Sequence, residues 1–208
     1  MTIKNARTGR LARSRPVRLV ILLVSLLATG GAVWAAHAAH ADETPSVGQV
    51  VRIDSGGPGD GTFQADSFVT GGLTDGNHTG SNGNPNWPGT VAHPIPQVEW
   101  NTFRFLESSY RVPGLVPGGS YQVRLYFLDW YWTKVGQRVF DVNINGGRVM
   151  SNFDIIKAAV DAGGDGSYLG VERDFTATAD GTGTVSIDFV RGAVDQPLVN
   201  AIVLVPAA

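Results

Sequence analysis

Apolar residues along this chain fall in short alternating runs divided by glycine-rich turns, the period of two that marks strands rather than the 3.6 of helices. Val47 to Asp54 is the first expected strand, closed by Gly56-Gly57-Pro58-Gly59-Asp60-Gly61, and Phe63 to Phe68 is a short second one. Thr70 to Pro96 carries Gly, Asn, Pro, Thr and His with little periodicity and is expected as one long loop, a length that usually serves function. Trp100 to Phe105 and Ser109 to Val112 are strands on either side of a bend at Leu106 to Ser108. The clearest strand is Ser120 to Asp129, with Tyr121, Val123, Leu125 and Phe127 on a core face and Gln122, Arg124, Tyr126 and Leu128 on the other. Arg138 to Asn143 turns through Asn145-Gly146-Gly147 into Arg148 to Ser151, a tight hairpin whose turn residues accept positive φ. One helical turn is expected at Asp154 to Ala159, followed by strands at Glu172 to Thr178, Thr184 to Val190 and Leu198 to Val205. Eight to ten strands with almost no helix predict an all-β, two-sheet antiparallel β-sandwich of the jelly-roll kind.

The first 41 residues stand apart from that pattern. Lys4, Arg7, Arg10, Arg13, Arg15 and Arg18 form a basic stretch without an acid, and Leu19 to Ala36 is an apolar run broken by Ser25, Thr29, Gly30 and Gly31. Ala39 and Ala41 then fit a small-residue cleavage site, so residues 1–41 are expected to be a secretory signal cleaved before Asp42. The rival is a retained anchor, because a span becomes possible at about 18 apolar residues. Either way residues 42–208 are expected outside the cytoplasm, with no membrane insertion after cleavage. A chain of 167 residues suits a single domain, burying about 70% of its unfolded surface.

Charge and composition then exclude several functions. Without residues 1–41, 10 Lys and Arg face 18 Asp and Glu, a net charge near −8 that repels phosphate backbones, so no nucleic-acid partner is expected. The absence of cysteine removes disulfides, thiolate metal sites and a cysteine nucleophile. His78 and His93 sit in the long loop without the partners of a serine triad, and loop surface is the expectation for both. Paired carboxylates of a glycoside hydrolase remain open, with Glu99, Glu107, Asp129 and Asp195 as the acids that could meet. Asp54, Asp60 and Asp66, or Asp161 and Asp165, offer oxygens for a structural calcium, but acids beside glycines are mostly turn formers, so no cofactor is expected.

Aromatics carry the strongest binding signal. Phe127-Leu128-Asp129-Trp130-Tyr131-Trp132 crowds three large rings at a strand end, either a plug for the core or a platform for a flat apolar ligand face. A sugar ring offers such a C–H face, rimmed by hydroxyls that carboxylates, amides and arginine satisfy. Trp87, Trp100, Trp130, Tyr131 and Trp132 all lie in or beside expected loops.

Several segments, in order along the chain, resemble the malectin family. They are Arg52-Ile53-Asp54-Ser55-Gly56-Gly57, Phe63-Gln64-Ala65-Asp66, the run from Pro117 to Trp132, Gly136 to Gly146, Asn152-Phe153-Asp154-Ile155 and Asp195 to Ile202. The resemblance implies a jelly roll that binds glucose-type oligosaccharides or polysaccharides at one end without catalysis. It places stacking on Tyr131 and Trp132, hydroxyl bonding on Asp195 and a further aromatic contact on Trp100. Trp87 is the candidate in the early loop, whose Gly, Asn and Pro content departs from the family pattern. Gln137, Arg138, Phe140 and Asp141 are expected to hold the fold, with Arg138 and Asp141 pairing across strands and Glu99 either bonding sugar or anchoring Arg138. A protein-interaction or adhesion domain on the same sandwich is the alternative.

Overall fold

In this computed structural model, residues 48–76, 78 and 85–208 are described; the expected signal, residues 1–41, lies outside them. The strands are β1 (Val51–Asp54), β2 (Val69–Asp75), β3 (Phe103–Val112), β4 (Ser120–Phe127), β5 (Val139–Ile144), β6 (Gly147–Phe153), β7 (Val171–Thr178), β8 (Val185–Val194), β9 (Leu198–Val199) and β10 (Ala201–Pro206). A 3-10 turn, Gln97–Trp100, precedes β3, and helix α1, Ile155–Asp161, follows β6. One sheet runs β1-β10-β4-β7, the other β2-β3-β8-β5-β6 with β9 added to β3, and the named strand pairs are antiparallel. This is a two-sheet β-sandwich. No helix among the described residues is long and apolar enough to cross a membrane.

Alternation along β4 supplies the core. Tyr121, Val123, Leu125 and Phe127 are fully buried between the sheets, and the Phe127 ring meets Phe153 at 5.0 Å, Phe140 at 5.8 Å and Phe189 at 6.4 Å between centroids. Removing a phenyl group from such a position costs about 3–5 kcal/mol. The outer face of β4 is covered too at its far end. Tyr126 and Leu128 pack with Val91, Ile95 and Trp100 in a second apolar cluster. A stretch of the loop after β2 therefore closes over the sheet instead of projecting into water.

Three elements depart from expectation. Phe63 to Phe68 makes a single bridge, Ile53 to Gln64, because Asp66 turns away to accept from Gly56 N, Arg104 Nε and Tyr110 Oη. β2 forms instead inside the expected loop, where Gly71 (φ +78°) and Gly72 (φ +67°) break the alternation at a bulge between Gly71 and Leu73. Across that bulge β3 runs unbroken through Leu106, which takes φ +68° where an ordinary strand residue cannot. The expected bend is thus a kink within one strand, at which β3 changes partner from β9 to β8.

The acids considered for calcium are occupied locally. Asp54 accepts from Gly59 N and Thr102 Oγ1, Asp60 from Thr62 N and Phe63 N, Asp165 from Ser167 N, and Asp161 pairs with Lys157. The two backbone donors hold the Asp60 carboxyl below its ordinary range.

Glu99 does not anchor Arg138, whose partners are Asp129, Asp195 and the Gln196 carbonyl. The Glu99 side chain is fully buried, and neither oxygen meets a donor among the described residues. Burial, then the nearby Asp54 carboxylate, pushes its pKa up to about 8. At neutral pH burial and the neighbouring carboxylate therefore favour the protonated, uncharged form of Glu99. Because the folded state holds this proton more tightly than the unfolded chain, the stabilisation is complete below about pH 4.5 and is lost as pH rises through about 8. Melting temperatures of the wild type and Glu99→Gln, measured across that range, should converge at the acid end, with the wild type falling below the variant toward pH 8. Parallel curves would rule out a protonated Glu99.

Candidate functional site

At the end of β4 the chain must leave the core, and polar side chains direct it. Leu128 N donates to Asn200 Oδ1 at 2.7 Å, while the Asn200 amide donates to the carbonyls of Trp100 and Thr102. Asp129 follows, buried to 1% exposure. Its Oδ1 accepts from Tyr131 N at 3.0 Å and Trp132 N at 2.9 Å, an Asx turn that reverses the chain. Its Oδ2 accepts from Arg138 Nε at 2.7 Å, so one carboxylate fixes both ends of the loop between β4 and β5.

Arg138 carries the network to the second loop. Its Nη1 reaches the Gln196 carbonyl at 2.6 Å and Asp195 Oδ2 at 3.1 Å. The same Asp195 oxygen accepts from the Trp132 indole at 2.5 Å, which orients that ring. Asp195 itself takes φ +57°, so the loop before β9 is held in the left-handed region to present its carboxylate. Arg138 does not pair with Asp141, whose partner is Arg148 on the neighbouring strand.

The result is an open cleft of about 420 Å³ between these loops and the β2–β3 edge. Tyr131, Trp132, Arg138, Asp195 and Gln196 form one wall, and Asp75, Phe103, Phe105 and Leu106 the other. Tyr131 is 74% exposed and stands against Trp132 at 4.6 Å and 89°, so the two rings make a corner rather than a plane. Asp195 Oδ1, opposite the oxygen engaged by Trp132 and Arg138, makes no hydrogen bond among the described residues. Apolar ring faces beside a fixed carboxylate are suited to a ligand that is apolar on one face and hydroxylated at its edge.

Of the five candidate residues, the structure brings together Tyr131, Trp132 and Asp195 and sets the other two elsewhere. Trp100 is fully buried in the second cluster, packs edge-on against Tyr126 at 5.8 Å and donates from its indole to Asn86 Oδ1, so it offers no face to a ligand. Alternation could not reveal this, because a loop covers it. Trp87 is half-buried with its ring against Gly89 and Gly164, outside the cleft. Trp130 is a plug: its ring stacks on His78 at 5.1 Å and its indole donates to the Trp100 carbonyl. His78 is sandwiched there between Trp130 and Phe103, not free on the loop surface. Sequence reasoning missed Asp75, Phe103, Phe105, Leu106 and Gln196 as cleft residues; the Gly71-Gly72 pair was the one signal of the bulge in the β2–β3 edge. A second hollow of about 440 Å³ lies by α1, β6 and β7, lined by Phe153, Lys157, Arg173 and Phe175 among others, and holds none of the five.

The chain as a whole resembles known proteins. A family model described as the malectin domain matches residues 51–202. Malectin-B of Xenopus laevis is 29% identical over 119 residues, covering 53% of this chain and 43% of that protein, so the match spans less than half of the relative's length. Among solved structures, the ANX2 ectodomain from Arabidopsis thaliana aligns with a TM-score of 0.61 at 15% identity, over 76% of this chain and 50% of that one. A structure of the plant peptide RALF23 in complex with FER and LLG2 aligns at 0.57 with 21% identity, over 76% and 40%. At these identities the two structures carry the fold.

Removing Asp129 leaves the guanidinium of Arg138 without its buried charge partner and with only the partly exposed Asp195, which costs about 3–5 kcal/mol. Denaturant unfolding of Asp129→Ala should show a loss of that size. Asp195→Asn, at the solvent-facing end of the network, should lose no more than about 1 kcal/mol. Equal losses in the two variants would mean that Asp129 does not anchor the site.

Proposed function

The chain belongs to the malectin domain family, a carbohydrate-binding family, and on that premise we propose that the cleft binds neutral glucose-type oligosaccharides or glucans without catalysis. One observation supports this most: an exposed tyrosine and a tryptophan set at right angles beside a carboxylate that a buried arginine holds in place. Tyr131 and Trp132 cover C–H faces of the sugar, and Asp195 Oδ1 accepts from its hydroxyls. Asp75 on the far wall is a second acceptor. With carboxylates on both walls and Arg138 already engaged, the cleft disfavours an anionic sugar. Trp100 and Trp87 have no part in this reading.

An open site using stacking and a few hydroxyl bonds implies micromolar to millimolar affinity, about −8 to −4 kcal/mol. The leader expected over residues 1–41 would deliver residues 42–208 outside the cytoplasm, where glycan surfaces lie. A polypeptide ligand is the second reading, favoured by the exposed apolar side chains Tyr131 and Val135 on the loop between β4 and β5 and Val194 at the end of β8.

Retention on immobilised glucan separates these readings. Tyr131→Ala should weaken retention at least tenfold while changing stability by less than about 0.5 kcal/mol, as expected for a surface ring. The Tyr131→Ala, Trp132→Ala double variant should abolish retention with its melting transition kept. Retention that survives the double replacement, or release of reducing ends from the glucan by the wild type, would contradict the proposal.

A further inference from the structure

On the outer face of the β4–β7 pair, away from the cleft residues, three ligand-type side chains converge. Glu172 and Asp174 are two apart on β7, hence on one face, opposite Tyr126 and Arg124 of β4. His93 arrives from the loop before the 3-10 turn. Its Nδ1 lies 2.6 Å from Glu172 Oε1 and 3.7 Å from Asp174 Oδ2, and the donor atoms of all three lie within 4.8 Å of one another. His93 is therefore not the free loop residue expected from sequence.

The geometry points to a divalent transition-metal site, with His93 Nδ1, Glu172 Oε1 and Asp174 Oδ2 as ligands for Zn²⁺ or an ion of similar softness. The spacing of the donor atoms suits an ion. Ligand bonds of about 2.0–2.2 Å require donor atoms roughly 3 to 3.5 Å apart, and the two contacts to Nδ1 bracket that range, so an ion needs the His93–Glu172 contact to open and the Asp174 carboxylate to draw in. Glu172 is already positioned for this: it is 3% exposed, and its other oxygen accepts from Ala92 N and His93 N, both at 2.7 Å. Tyr126 Oη lies 3.4 Å from Oε1 and donates to the His93 carbonyl at 3.0 Å, a supporting shell around the ligands.

Charge and access agree. Two carboxylates crowd here, with His93 and Arg124 as the basic groups acting on Asp174. His93 and Asp174 keep 44% and 39% of their side chains exposed. A hollow of about 270 Å³ lined by Thr90, Ala92, Glu172 and Asp174 lies alongside, giving room for coordinated water. An imidazole donor selects Zn²⁺, Ni²⁺ or Cu²⁺ over Ca²⁺ and Mg²⁺. A bound ion would tie the segment ending at His93 to β7, and none of its ligands lines the glycan cleft.

Titration of the full chain with ZnCl₂, followed by calorimetry and by the melting temperature, tests the site. One Zn²⁺ per chain is expected, with a melting temperature raised by zinc, unaffected by millimolar Ca²⁺ and restored by EDTA. His93→Ala and Asp174→Asn should each weaken binding at least tenfold, whereas His78→Ala should bind as the wild type does. Asp174 is the more peripheral ligand, so Asp174→Asn decides the question should His93→Ala fail to fold. No zinc uptake by the wild type, or unchanged uptake by Asp174→Asn, would overturn the site. Glucan retention is expected to survive EDTA, which keeps this test separate from that of the cleft.

Discussion

A guanidinium buried at the end of a β-sandwich has to be neutralised where it lies, and the pairing of Arg138 with Asp129 is the constraint from which the binding end follows. Arg138 is 6% exposed and Asp129 1%. Breaking such a pair strands a charge in a poorly solvated place, so both residues stay fixed while the remaining lone pairs and N–H groups are filled by the surrounding backbone. Those remaining bonds shape the loops. The spare Asp129 oxygen turns the chain through Tyr131 and Trp132, and the spare Arg138 nitrogen captures the Gln196 carbonyl and Asp195. The rings and carboxylate that face the cleft are thus held by a charge pair that is itself almost wholly buried.

The two faces of β4 explain why only some aromatics are available. Its inward face is spent on Phe127 and its ring neighbours. Its outward face would be solvent in an uncovered sheet, but the segment carrying Val91, Ile95 and Trp100 packs over Tyr126 and Leu128. That cover brings Glu99 against Asp54, and it is also where the His93, Glu172 and Asp174 cluster forms at the margin. One loop therefore accounts for the burial of Trp100, for a carboxyl that keeps its proton at neutral pH and for a candidate metal site, while the opposite loops build the cleft.

Much of this was legible in the chain. Strict alternation from Tyr121 to Phe127 gave the core face correctly, because that strand is central and its inner face is uniformly apolar. The hairpin at Asn145-Gly146-Gly147 was legible from turn chemistry, with Asn145 at φ +49° and Gly146 at φ +77°. β2 was hidden because its Gly71-Gly72 bulge removes the apolar alternation on which strand detection depends. Trp100 was misplaced for a different reason: a tryptophan beside a loop looks exposed until the loop is seen to fold back over a sheet. The partners of Arg138 lie 9 residues away at Asp129 and 58 at Gln196, a long-range arrangement that no local pattern contains.

The Trp132 indole N–H reports on the central claim most directly, since it donates to Asp195 at the wall of the cleft while the Trp100 indole is buried outside it. Nitrogen-proton spectra of the tryptophan indoles, recorded during titration with neutral gluco-oligosaccharides, separate the two signals. A saturable shift of the Trp132 resonance is expected, lost in Asp195→Asn, with the Trp100 resonance unmoved. A shift at Trp100 with Trp132 silent, or no shift at any indole up to millimolar sugar, would contradict that claim.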